Sequence, residues 1–375
     1  MKTFFSPFVF GTLSLLTTAV SAATFSLYGA VDTGLSYMHV RNGDDSLQMS
    51  TGNYAGPRFG FKGSEELTPG VTVNFILENG YNSDTGALDA AGKMFNRESI
   101  LYLKTPYGTF GVGRTGPFTS GTGSLSRYWD LEPFETGYSD AGIQGTQVNV
   151  WSRHSNTLYY VSPKVAGWEA GIQYSLSGDQ DAETDGMADD DHFANAYVRW
   201  DGPTLIVAAG VELYTVGHTR EAVSNQPNKD RWSVKLAGAW TPQAGATTLF
   251  AGYNFFNNQN KFSDTTWLDD TNLTFDDSGK GIEAHAFYLG IRHKVGQVAW
   301  LGLLQFMTGE NKGALAKDED EFKRFVAGLG AHYYFSKRTM GYAVASYAKG
   351  TGLLDQEGSL TNRYQAHLLT RLQNS

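Results

Sequence analysis

The chain has 375 residues and no cysteine. A disulfide framework, a thiolate metal site and a cysteine nucleophile are therefore excluded. Beyond its N-terminal segment it has no apolar run approaching the roughly 18 residues that a membrane-crossing helix needs, which excludes helical spans. Positive charge is in short supply: 29 Lys and Arg stand against 38 Asp and Glu, for a formal net charge of -9 and an isoelectric point near 5.4. That balance disfavours nucleic acid as a partner, since its backbone is bound by cationic surfaces. Also missing are G-x-S-x-G, H-E-x-x-H and phosphate-loop patterns. His154-Ser155-Asn156 place a base and a hydroxyl side by side, but neighbours along a strand point in opposite directions and form no relay by themselves. The sequence names no catalytic residue and no cofactor, and the chain does not read as an enzyme.

Glycine, at 44 residues, and aromatic side chains, at 14%, are abundant, although mean hydropathy is below zero. A soluble protein this polar has little use for so many Phe, Tyr and Trp. A transmembrane β-barrel needs them, because it combines aromatic girdles and an apolar residue at every second strand position with a polar lumen. Residues 1–22 read as a secretory signal: Lys2 is the positive n-region, Phe4 to Val20 is mostly apolar, and Val20-Ser21-Ala22 precedes cleavage after Ala22 or Ala23. Ser6, Pro7, Gly11, Thr12 and Ser14 dilute the segment, so it reads as processed rather than as an anchor. Residues 23–375 are left as one exported unit, long enough for two ordinary domains or one large barrel.

From Thr24 to His39, Phe25, Leu27, Val31, Leu35 and Tyr37 alternate with Ser26, Tyr28, Asp32 and Ser36, the signature of a strand with one wet face. Strand-like segments recur near 24–39, 57–64, 70–79, 95–105, 108–115, 151–162, 167–177, 191–201, 203–214, 230–241, 245–257, 282–294, 296–309, 321–335, 338–349 and 361–372, sixteen in all. Alternation is clean where Trp232, Val234, Leu236 and Trp240 oppose Arg231, Ser233 and Lys235, and irregular in 95–105 and 282–294. Short turns fall at Pro106-Tyr107, 162–166, Gly202, 242–244, Val295 and Ser336-Lys337; longer polar loops fall at 40–56, 80–94, 116–150, 178–190, 215–229, 258–281, 310–320 and 350–360. An even number of antiparallel strands, with short turns at one end and long loops at the other, is the pattern of an outer-membrane barrel. A β-sandwich or propeller also uses many short strands but gives no reason for that asymmetry.

One stretch breaks the pattern. Residues 116–145 hold Arg127, Asp130, Glu132, Glu135 and Asp140 among Phe118, Tyr128, Trp129, Phe134 and Tyr138, with no helix or strand period. A connection that long without regular structure is either functional or disordered, and its aromatic content argues against disorder. It is expected to pack against something.

Arg58-Phe59-Gly60-Phe61-Lys62-Gly63-Ser64-Glu65-Glu66-Leu67 resembles the second-strand core of the general porins of Gram-negative outer membranes. Leu27-Tyr28-Gly29 with Val31-Asp32, Asn96-Arg97 with Tyr107 to Arg114, and Arg153 to Tyr160 with Ser162-Pro163 resemble other segments of that family in order, over about residues 24 to 177. The resemblance implies a sixteen-stranded antiparallel transmembrane barrel in the outer membrane of a Gram-negative cell. It also implies a homotrimer that passes small hydrophilic solutes and ions by diffusion, with lipid and lipopolysaccharide around it. In that family the third long loop folds into the lumen, and Glu132 to Asp140 resembles its acidic tip. Carried over by position, Glu132, Glu135 and Asp140 match the acids of the tip, and Arg58, Arg97, Arg114 and Arg153 match wall arginines facing it. Lys62 shares the Arg58 face by period two. Phe110 and Val112 have the parity of Arg114, so a bulge must re-aim that side chain. The family usually ends on an aromatic residue, whereas this sequence ends Thr370 to Ser375.

Opposed cationic and anionic rows would set up a transverse field and an ion preference. Asp181, Glu183, Asp185 and Asp189 resemble the start of a calcium loop, but the twelfth position is His192 and no helices flank it; a hydrated acidic loop is the expected reading, with no metal. The competing functions are a plugged structural or adhesive barrel and, further off, a barrel hydrolase.

Overall fold

Strict alternation leaves each strand with one apolar and one polar face, and which face meets solvent decides the architecture. In the computed structural model, which describes residues 23–135, 137–146, 153–176, 191–217, 227, 229–242, 245–260, 273, 275–315, 320–355 and 363–374, the apolar face is outside. The strands are β1 (Thr24–Val40), β2 (Ser46–Thr51), β3 (Arg58–Thr68), β4 (Val71–Gly80), β5 (Glu98–Thr105), β6 (Gly108–Thr115), β7 (His154–Val161), β8 (Trp168–Ser175), β9 (His192–Asp201), β10 (Leu205–Thr215), β11 (Arg231–Trp240), β12 (Thr247–Gln259), β13 (Ile282–Val295), β14 (Val298–Asn311), β15 (Glu321–Tyr334), β16 (Thr339–Gly352) and β17 (Arg363–Asn374). On β11, Trp232, Leu236 and Trp240 are exposed while Ser233 and Lys235 are buried. On β15, Leu329 is 69% exposed while Arg324 and His332 are at 0%. This inversion is stable only where the outer solvent is hydrocarbon and the polar residues face a lumen.

All strands but β2 join in one closed antiparallel barrel of sixteen. β17 closes it against β1, from Gly29↔Asn374 to Val40↔Arg363. Closure removes the unpaired edges that hydrocarbon would not tolerate. Short turns at one end alternate with long connections at the other, here named L1 to L8 in chain order: L1 spans 41–57, L2 81–97, L3 116–153 and L8 353–362.

The stretch 40–56, expected from sequence to be loop, contains β2. β3 starts only at Arg58, so the edge of β1 away from β17 would lack a partner along Thr33 to Met38; β2 folds back to pair with it, from Thr33↔Thr51 to Met38↔Ser46. Smaller shifts accompany this: β3 runs on to Thr68 rather than 64, β5 and β7 begin at Glu98 and His154, the β13–β14 turn falls at 296–297 rather than Val295, and β10 begins at Leu205. The expected bulge is present: the β6–β7 register shifts between Gly113 and Thr115, and Gly113 has φ +129. A Cβ there would lie 2.0 Å from the Ser99 carbonyl oxygen, so glycine is required where the chain turns Arg114 inward. Among the described residues no helix is long and apolar enough to cross a membrane. The signal segment 1–22 lies outside the described residues.

Candidate functional site

L3 does not stay outside. Its neck is held by Glu98 of β5, whose Oε1 accepts from Thr115 Oγ1 (3.1 Å), Ser124 N (2.7 Å) and Ser124 Oγ (3.0 Å). Asn195 accepts from Phe118 N at 2.8 Å, and Glu212 takes bonds from the Thr119 hydroxyl and, at 2.9 Å, from Lys235. Further along, Arg127 pairs with Glu169 (2.5 Å), and Arg199 grips Asp130 through two 2.7 Å bonds. These partners come from the inward faces of β5 and of β8 to β11, so the loop is fastened to the wall as it enters.

From Tyr128 onward the loop packs along the inner wall from β10 round to β16. Tyr128, Leu131, Phe134, Tyr138 and Ala141 are buried against inward-facing Ala208, Ala237, Ala239, Phe250, Tyr288, Leu303, Tyr342 and Val344. Small wall residues make room for large loop side chains. Each fully buried Leu, Phe or Tyr contributes about 1.5–3 kcal/mol, ample to hold a segment with little regular backbone bonding. Arg292 donates to the Pro133 carbonyl, and Gln305 Nε2 donates to the carbonyls of Asp140 and Gly142, both at 2.8 Å.

The sequence-named acids fall into two environments. Asp140 is at 0% exposure, with its carboxylate between Arg324 (3.1 Å) and Arg363 (2.8 Å), themselves almost fully buried. Glu132 is also at 0%, and its Oε2 accepts from Phe134 N at 2.8 Å within the loop itself. Glu135 alone of the three is partly exposed; it pairs with Arg292 (2.7 Å) and takes the Tyr54 hydroxyl. The tip thus meets arginines of β13, β15 and β17 rather than those named from sequence. The reason is burial: a carboxylate packed against the far wall needs a cation there.

The named cations gather on the other wall. Arg58 and Arg97 share Glu78 of β4, at 3.5 and 2.7 Å. Gly56 leaves room for Arg97, whose Nη1 would lie 2.6 Å from a Cβ at that position. Arg114, turned in by the bulge, donates to the Asn96 carbonyl (2.8 Å) and the Ser155 hydroxyl (2.9 Å). Lys62 is exposed, with its ammonium 5.3 Å from the centre of the Tyr28 ring. Arg153, just before β7, has Nε and Nη2 buried without a hydrogen-bond partner. Burial and then the Arg97 charge push its guanidinium down to about 9, while Glu98, Glu78 and Asp89 hold it up; it stays cationic at neutral pH.

Sequence reasoning missed Glu78, Arg292, Arg324, Arg363 and Tyr54 as partners in this site. Inward parity was the available signal for the strand residues, but parity gives a face and not a height. Among the described residues no group of three His, Cys, Asp or Glu is placed to hold a metal; Asp181, Glu183, Asp185 and Asp189 lie outside them.

A closed barrel of sixteen strands, apolar outside, charged inside and narrowed by an inward loop, matches known proteins along most of its length. The family model for Gram-negative porins matches residues 11–353. An outer membrane porin protein of Bordetella pertussis is 28% identical, covering 91% of this chain and 93% of its own. Outer membrane porin protein 32 of Delftia acidovorans is 27% identical over 88% and 85% of the two chains. Among solved structures, an anion-selective porin from Comamonas acidovorans superposes with a TM-score of 0.71 at 21% identity, covering 94% of this chain and all of the other. The chain belongs to the Gram-negative porin family and is an outer-membrane diffusion channel.

Proposed function

We propose that this porin passes small hydrophilic solutes and ions with a preference for anions, as a homotrimer and without catalysing a reaction. Arg58, Lys62, Arg97, Arg114 and Arg153, with Glu135 opposite, line the constriction in this reading, and Glu132 and Asp140 anchor it. The observation that carries the preference is Arg153, a cation with buried donors that have no protein acceptor, beside Arg97. The named cations also outnumber Glu78, Glu98 and Asp89, the acids among them. A cationic wall in a narrow gap raises the local anion concentration. That the Comamonas acidovorans porin is anion-selective by description is in line with this.

The trimer is supported by wall height. β5 to β8 have 8 residues each, against 14 in β13 to β16. At about 3.3 Å per residue and a tilt near 40°, the short strands rise only about 20 Å, below an apolar band of about 25 Å. A wall that low, still presenting Leu101, Phe110, Leu158 and Ile172, fits a neighbouring barrel better than lipid. On the tall side, outward Lys323 and Lys349 are exposed around Phe325, suited to the phosphates of lipopolysaccharide. The non-catalytic reading is supported by His154, stacked on Phe193 with centroids 3.9 Å apart, and by Ser155, which is bonded to Arg114.

The test is the zero-current potential across a planar bilayer in a salt gradient. Arg58→Ser with Arg153→Ser is expected to move it toward cations. An unchanged potential removes both residues from the selectivity of the pore.

A further inference from the structure

L3 is not the only loop inside the lumen. After β2, L1 turns at Gly52 (φ +67) and runs down the inner face of β1, where Asp32 receives it. Asp32 is at 0% exposure. Its carbonyl oxygen accepts from Gly52 N at 2.9 Å. Its Oδ2 accepts from the backbone amides of Tyr54 (2.8 Å) and Ala55 (2.9 Å), and its Oδ1 accepts from the Tyr342 hydroxyl of β16 (2.7 Å). One carboxylate therefore fixes the path of L1 and ties it to the wall two strands away. Gly34 leaves the space that the Asn53 side chain fills, since a Cβ there would lie 2.6 Å from Asn53 Nδ2.

Held this way, L1 meets the tip of L3. The Asn53 carbonyl accepts from Tyr138 N at 2.5 Å. Gly137 passes so near Tyr54 that a Cβ on it would lie 2.5 Å from the Tyr54 backbone carbonyl oxygen. The Tyr54 ring packs on Tyr138 (5.6 Å) and edge-on to His332 (5.5 Å), and its hydroxyl donates to Glu135. Arg292 takes the other oxygen of Glu135, so the one partly exposed acid of the tip is gripped between the wall and L1. The tip also has Glu135, Tyr138 and Ser139 at φ of 53, 64 and 48. Non-glycine residues stay in that region only where their surroundings hold them, and L1 supplies much of that hold.

We propose that Asp32 is a positioning residue of the channel: by seating residues 53–55 it makes Tyr54 part of the constriction rim and locks the Glu135 tip, so that L1 and L3 form one composite eyelet. The inference rests on the porin reading, and the experiment separates the two. Single-channel currents are recorded in planar bilayers for the purified protein and for Asp32→Asn, Tyr54→Phe, Tyr342→Phe and the Asp32→Asn/Tyr54→Phe double variant. Wild-type silence would overturn the porin reading itself. In a conducting wild type, Asp32→Asn removes the charge that strengthens the two amide bonds and turns one of the two acceptor oxygens into a donor, so the seat of residues 53–55 weakens. It is expected to raise the frequency of brief closures about tenfold, which is about 1.4 kcal/mol, and to admit larger uncharged solutes in liposome swelling. Tyr54→Phe is expected to raise closure frequency and the solute limit as well, and the double variant to resemble Asp32→Asn alone, because both act through one contact. A purely structural role for Asp32 would lower barrel stability without that non-additivity. Unchanged closures and solute limit in Asp32→Asn, or effects that simply add, overturn the proposal. If Asp32→Asn does not fold, Tyr342→Phe carries the test, with the same expected and opposing results.

Discussion

Asp140→Asn is the sharpest test of how L3 is held. The native carboxylate bridges Arg324 at 3.1 Å and Arg363 at 2.8 Å, all three side chains being at most 1% exposed. The amide keeps the shape but removes the counter-charge, leaving two buried guanidinium groups close together. Breaking a buried ion pair by removing one partner costs about 3–5 kcal/mol. The Gln305 bonds and the apolar cluster around Phe134 remain, so the cost falls on local opening of the loop rather than on the barrel. Amide exchange in the 138–146 segment then reads it, with an expected acceleration of roughly a hundredfold to a few thousandfold and unchanged protection in β13 to β15. Replacing Asp140 by Leu together with Arg324→Met and Arg363→Met should accelerate exchange less than Asp140→Asn, because no charge is left unpaired. An acceleration below about threefold in Asp140→Asn would refute the assignment of this acid as the anchor.

Two further substitutions test the wall. Leu329→Arg, on an outward position 69% exposed, should lower folding stability in bilayers by about 2–4 kcal/mol, whereas an ordinary water-facing surface would lose less than about 0.5 kcal/mol; equilibrium unfolding in lipid vesicles distinguishes them. Gly113→Val forces a branched side chain into φ +129 and against the Ser99 carbonyl, so the folded fraction seen as heat-modifiable migration in gels should collapse, with Gly113→Ala less severe.

The barrel was legible in the sequence because lipid and lumen impose opposite polarity on successive residues. Trp232, Leu236 and Trp240 against Ser233 and Lys235 state that rule directly. L3 was legible as an interruption of it, and the broken parity at Arg114 announced the Gly113 bulge. β2 was not legible, since Ser46–Thr51 sits among Gly, Asn and Asp and is needed only to finish the edge of β1. Nor were the partners of the tip. Asp140 meets Arg324 and Arg363, which are nearly two hundred residues or more away along the chain. What joins them is the height of each side chain in a closed, tilted barrel, which depends on every register between. Tyr54 escaped notice for a related reason: nothing local marks a loop residue whose backbone is seated by a carboxylate on β1.

The central claim is a water-filled pore whose cationic wall faces the L3 tip. It is tested most directly by recording the purified wild-type protein in a planar bilayer under a potassium chloride gradient. The account predicts discrete ohmic steps with a zero-current potential on the chloride side. Silence would contradict the pore, and steps reversing on the potassium side would contradict the assignment of Arg58, Arg97 and Arg153 as the residues that set its preference.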